Sequence, residues 1–83
     1  MGAASFEQIR LIAADVLGVS PKSLSPDSGP ATIEAWDSVQ HLNMVLAIEQ
    51  QFDLEFDPEE IDAMHTLGAM AAAVDAKQAR LSA

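Results

Sequence analysis

The chain has 83 residues, a formal net charge of −9 and no cysteine. That length suits one domain spanning 1–83, since a smaller unit would bury too little surface to be stable. Without cysteine there is neither a disulfide framework nor a thiolate metal site, so any thiol chemistry must come from an added group.

Apolar residues make up 49% of the chain, with only Phe6, Trp36, Phe52 and Phe56 aromatic, so the expected core is mainly aliphatic. Lys22 and Lys77 bracket a stretch, Ser23 to Ala76, that has no Lys or Arg but eleven Asp and Glu residues. A field of one sign repels nucleic acid and anionic membranes and speeds encounter with basic surfaces, so the expected partners are proteins with positive patches. No apolar run approaches the roughly 20 residues that cross a bilayer, and no signal-peptide pattern opens the chain. A soluble, cytoplasmic monomer is expected.

The first predicted helix covers about 5–17. Ser5 with Gln8 three residues later has the form of a capping box, and Phe6, Ile9, Ile12, Ala13, Val16 and Leu17 repeat at helical spacing. Gly18 is its expected C-terminal cap. Residues 18–36 hold three of the four prolines, Pro21, Pro26 and Pro30, and no sustained periodicity, which predicts a long loop. Loops of that length in small domains are functional or pinned by apolar anchors, here Leu24, Ile33 and Trp36.

A second helix is predicted from about 37 to 52. At about 100° per residue, Met44, Val45, Ile48 and Phe52 share one side as a core stripe, with Gln40, Asn43, Ala47 and Gln50 opposite. Between them runs a second apolar row, Val39, Leu42 and Leu46, which a helix buried on one side only does not need. Asp57-Pro58-Glu59-Glu60 predicts a short third helix over about 58–64, with Asp57 as N-cap, Pro58 at the first helical position and Glu60 closing a box. Thr66 caps a last helix to about residue 80 carrying Leu67, Met70, Ala71 and Val74, with Lys77 and Arg80 where positive charge suits the helix dipole. The expected fold is all-α, a four-helix bundle with a long first loop and a short third helix.

Asp37-Ser38 stands where the proline-rich loop becomes a helix. A hydroxyl there is exposed beside unsatisfied N–H groups and a partial positive charge, which favour a phosphate. On the dipeptide alone a plain capping pair is the better reading, since Ser and Asp cap a large share of helices.

The run Trp36-Asp37-Ser38-Val39-Gln40-His41-Leu42 through Ala47-Ile48-Glu49-Gln50-Gln51-Phe52 resembles the acyl carrier protein family, with its Asp-Ser-Leu motif and a following helix that ends in Glu-Glu-Phe. The similarity extends over residues 5–76. It implies that Ser38 receives 4′-phosphopantetheine from coenzyme A through a separate phosphopantetheinyl transferase, and that Asp37 assists this modification. The arm's thiol then presents acyl groups as thioesters to acyl-loading and acyl-processing enzymes of fatty acid, polyketide or related biosynthesis, the chain itself catalysing nothing. Val39, Leu42 and Leu46 match the positions that partner enzymes touch, giving the second row a purpose; the alternative is that the loop or third helix covers it. Asn43 and Gln50 stand where family members carry acids, leaving Glu49 alone on this helix, and the acid is concentrated downstream, Glu59 and Glu60 included. The docking surface is therefore expected to include Asn43, Glu49, Glu59 and Glu60, and the chain to be a specialised, stand-alone member.

Rival readings are weaker. An aminoacyl or peptidyl carrier more often has a glycine-rich motif before the serine, in place of Glu34-Ala35-Trp36-Asp37; an unmodified helical interaction domain is the other alternative. Ser38 and His41 are i, i+3 neighbours, but His41 has no obvious orienting third group and there is no oxyanion site for a hydrolase. His65 reads as a loop residue. Asp53-Leu54-Glu55-Phe56-Asp57 alternates acids like a calcium loop, yet Pro58 stands where an EF-hand needs glycine, and no metal site is assigned.

Overall fold

The computed structural model describes residues 2–82, with side chains from 5 to 80. Four α-helices follow in order: α1 (Gly2–Leu17), α2 (Ser38–Phe52), α3 (Pro58–Ala63) and α4 (Leu67–Ser82), with a 3-10 turn at Pro21–Ser23 in the first loop. Among the described residues there is no strand, and the fold is the expected all-α four-helix bundle. No described helix is long and apolar enough to cross a membrane.

The helical stripes meet in one core. Ile9, Ala13 and Leu17 of α1, Met44, Val45 and Ile48 of α2, and Leu67, Met70, Ala71 and Val74 of α4 are all buried. Phe6, Ile12, Val16 and Phe52 pack partly buried around them. Gly18 ends α1 at φ 69°, and the N–H groups of Gly18 and Val19 both reach the Ala14 carbonyl, at 2.9 and 3.1 Å. A side chain with a Cβ resists that left-handed conformation, which accounts for glycine at this position.

The capping box expected at Ser5 and Gln8 does not form. The helix begins upstream, at Gly2, so Ser5 is interior to it and has no free helix end to cap. Its buried hydroxyl instead donates to Asp75 Oδ1 of α4 at 2.6 Å, a polar tie between the two longest helices. Gln8 is exposed and accepts from Gln51 Nε2 at 3.4 Å.

The long loop is ordered by its own polar groups as well as by its anchors. Leu24 and Trp36 are buried and Ile33 partly so. Buried Ser28 accepts from the Ser25 N–H at 2.9 Å, and Thr32 accepts from the Gly29 N–H at 3.1 Å. The loop then supplies carbonyls to the start of α4: Ser28 O accepts from Leu67 N–H and Pro26 O from Gly68 N–H, both at 2.9 Å. With Thr66 Oγ1 accepting from Ala69 N–H at 3.0 Å, the orphan donors of that helix start are answered mostly by a segment about forty residues earlier in the chain.

At the other end of α2, Asp53 adopts φ 55° and its N–H bonds Glu49 O, a left-handed cap made without glycine. The following residues alternate, Leu54 and Phe56 buried, Asp53, Glu55 and Asp57 exposed. The alternation that resembles a calcium loop in sequence is a short extended connection seated on the core by its two apolar members.

Candidate functional site

Asp37 and Ser38 lie where the loop enters α2. Asp37 is the N-cap, its Oδ1 accepting from Gln40 N–H at 2.9 Å, and its carbonyl accepts from His41 N–H at 2.9 Å. Ser38 is the first helical residue and is exposed. The first-turn amides of Ser38 and Val39 have no intrahelical acceptor and point out of the helix end beside the serine hydroxyl.

Ser38 also opens onto a surface groove of about 520 Å³ lined by Trp36, Asp37, His41, Leu42, Ile61, Asp62 and His65 among others. The groove brings together the loop end, the first turn of α2, α3 and the α3–α4 connection. Behind it lies a hydrogen-bonded bridge through the His41 ring. Trp36 Nε1 donates to His41 Nδ1 at 3.0 Å, the two rings stack at 25° with centroids 6.0 Å apart, and His41 Nε2 meets the Ile61 carbonyl at 2.9 Å.

His41 therefore does have orienting partners, contrary to the expectation from sequence. They are the reason it does not serve Ser38 as a base. An indole N–H only donates, so Nδ1 must accept; the ring proton is then on Nε2, directed at Ile61 O, and neither nitrogen has a lone pair left for a hydroxyl. The partner on α3 is twenty positions away, out of reach of any local spacing rule, although Trp36 five residues before His41 was a signal available to be read.

Beyond Ser38, the second apolar row is not covered by the loop or by α3. Val39, Leu42 and Leu46 are 66%, 52% and 55% exposed. Asn43 is exposed on the same helix and donates to Gln40 Oε1 at 2.9 Å.

The acids expected nearby fall into two groups. Glu59 is exposed. Glu49 and Glu60 are committed to the fold: Glu49 Oε2 accepts from Phe56 N–H at 2.8 Å, holding the connection after α2. Glu60 Oε1 accepts from Asp57 N–H at 2.9 Å, closing the capping box of α3, and pairs with Lys77 Nζ at 2.9 Å, with Arg80 at 3.9 Å from its other oxygen. The Asp57 N–H first, then the Lys77 hydrogen bond, hold the Glu60 carboxyl below its ordinary range; desolvation opposes them, and the charges of Lys77 and Arg80 add to the lowering. Lys77 and Arg80 thus tie α4 to α3, Arg80 from the last turn of its own helix as expected, and Lys77 Nζ also sits 5.5 Å from the centre of the Phe56 ring.

A family model described as the phosphopantetheine attachment site matches residues 7–74. The chain belongs to this family. It is thus a carrier, a non-catalytic protein that bears covalent 4′-phosphopantetheine and works with a phosphopantetheinyl transferase and biosynthetic enzymes. The residues present fit the group. Among the described residues an exposed serine stands at the start of a 15-residue helix, with two first-turn amides free to meet a phosphodiester and an open groove alongside for the start of an arm. When bound, phosphopantetheine supplies the terminal thiol that this cysteine-free carrier lacks.

Proposed function

We propose that the carrier holds acyl groups as thioesters on an arm attached to Ser38 Oγ, and presents them to enzymes of fatty acid, polyketide or related specialised biosynthesis. The observation that carries this reading is the position of Ser38: exposed, first in α2, and followed at once by the exposed row Val39, Leu42 and Leu46. The free first-turn amides favour the phosphodiester electrostatically. Asp37 keeps Ser38 at the helix start by capping Gln40, and that positioning is how it assists modification.

Partners dock on the apolar row, with Asn43 beside it, and are guided by the exposed acids at Asp53, Glu55, Asp57, Glu59 and Asp62. Glu49 and Glu60 contribute charge to that field, while their oxygens stay bonded within the fold. The absence of acid at Asn43 and Gln50 supports a carrier for specialised enzymes, and a cytoplasmic site of action accords with this reading.

The test is mass spectrometry of the chain after incubation with coenzyme A and a broad-specificity phosphopantetheinyl transferase. Gain of one phosphopantetheine by the wild type and none by Ser38→Ala is expected. No gain by the wild type, or equal gain by Ser38→Ala, overturns the attachment. Loading the modified protein with acyl against aminoacyl donors then tests the cargo class, and a preference for aminoacyl groups would replace the acyl reading.

A further inference from the structure

Three segments converge on His41: the end of the loop through Trp36, the first turns of α2 that carry the imidazole, and α3 through the Ile61 carbonyl. α3 is only six residues long and holds its place through a few specific ties, this one among them. Trp36 is 2% exposed, so its indole N–H has little water to turn to if its acceptor is lost. It is also the residue directly before Asp37 and Ser38, which puts the indole one position from the cap of α2.

The bridge is compatible with one protonation state of the ring. Neutral His41 with its proton on Nε2 satisfies both partners. A second proton occupies Nδ1, the atom that accepts from Trp36, and sets two N–H donors facing each other at a 3.0 Å bond that then has no acceptor. The Nε2–H to Ile61 O bond survives that change, so the side that parts is the loop side. The titratable groups lining the same groove are Asp37, Asp62 and His65. The two carboxylates provide negative charge for a protonated ring, and His65 opposes it when charged.

We propose that the Trp36–His41–Ile61 bridge is a proton-operated clasp: the neutral ring fastens the loop to α2 beside Ser38, and one proton at His41 Nδ1 releases it. The clasp regulates the groove into which Ser38 opens, and its bearing on the arm rests on the attachment proposed above.

The experiment is an NMR titration of the unmodified full chain between about pH 8 and pH 5, the range in which imidazoles usually titrate. At the upper end, the His41 ring nitrogens are expected to show Nδ1 bare and Nε2 protonated; the opposite tautomer overturns the clasp without recourse to any variant. On acidification the Trp36 indole N–H is expected to shift and to lose its protection from exchange in one transition, together with the His41 ring signals. His41→Gln, whose amide can both accept from Trp36 and donate to Ile61 without titrating, is expected to keep the indole N–H protected and abolish the transition. His65→Gln should retain it. Persistence of the transition in His41→Gln, or an indole that ignores titration of the His41 ring, overturns the proposal. Because the titration uses unmodified protein, failure to modify Ser38 and failure of the clasp are separate results. In modified protein the phosphodiester phosphorus signal should follow the same transition, and an invariant signal would overturn the coupling to Ser38.

Discussion

Gly29 in the first loop passes so close to His65 in the connection before α4 that a Cβ added at residue 29 would overlap the His65 carbonyl oxygen. Backbone gives way less readily than a flexible side chain, and this contact sits beside the Ser28 and Pro26 carbonyls that cap α4. Gly29→Ala is therefore expected to destabilise the fold by about 1–3 kcal/mol, the usual range for forcing a methyl group into filled space. Urea unfolding checks it, with Gly18→Ala as a contrast: nothing lies within reach of a Cβ there, and the cost comes from the positive φ alone. A neutral Gly29→Ala would mean that the loop can stand away from α4.

Glu60 gives a pH dependence of definite sign. Its carboxyl is held below the ordinary range in the folded chain, by the Asp57 N–H first and the cations of α4 after it. The stability it contributes is then fully present above the ordinary glutamate range, and is lost as pH falls through its lowered folded value. Glu60→Gln should reduce stability at neutral pH, with the gap to wild type closing only in acid, below about pH 4. Thermal unfolding of both proteins at several pH values measures this, and a gap that stays constant into acid would remove the ionised carboxylate as its cause.

The exposed row separates stability from function. Leu42→Ser and Leu46→Gln replace side chains that are more than half exposed, so the fold should change by no more than about 0.5 kcal/mol. The specificity constant for modification by the transferase, and for acyl transfer by a processing enzyme, should fall with each and further in the double variant. Unchanged transfer with unchanged stability would mean that partners do not use this row. A large loss of stability would mean instead that the row supports the fold.

Much of this molecule was legible in one dimension because the deciding interactions are local. The stripes at Ile9, Ala13 and Leu17, at Met44, Val45 and Ile48, and at Leu67, Met70 and Val74 follow from helical periodicity, and all are buried as that period requires. The Asp57–Glu60 box, the Thr66 cap and the Gly18 terminus are bonds between residues within four positions of each other. Asp37 and Ser38 at the start of α2, and the apolar row after them, belong to the same class.

What could not be read rests on partners far away in the chain. Ser5 looks like a cap because its local spacing is that of one; Asp75, seventy positions on, makes it an interhelical tie. Glu60 is legible as the residue that closes the α3 box, but not as the ion-pair partner that α4 makes it by bringing Lys77 and Arg80 against it. The loop looks structureless until its carbonyls are seen to cap α4, and His41 looks unpartnered until α3 lays the Ile61 carbonyl on its ring. Periodicity and capping depend on neighbours a turn away, which the order of residues determined; polar satisfaction at the joins between elements depends on which segments the packed core brings together, and only the tertiary structure decided that.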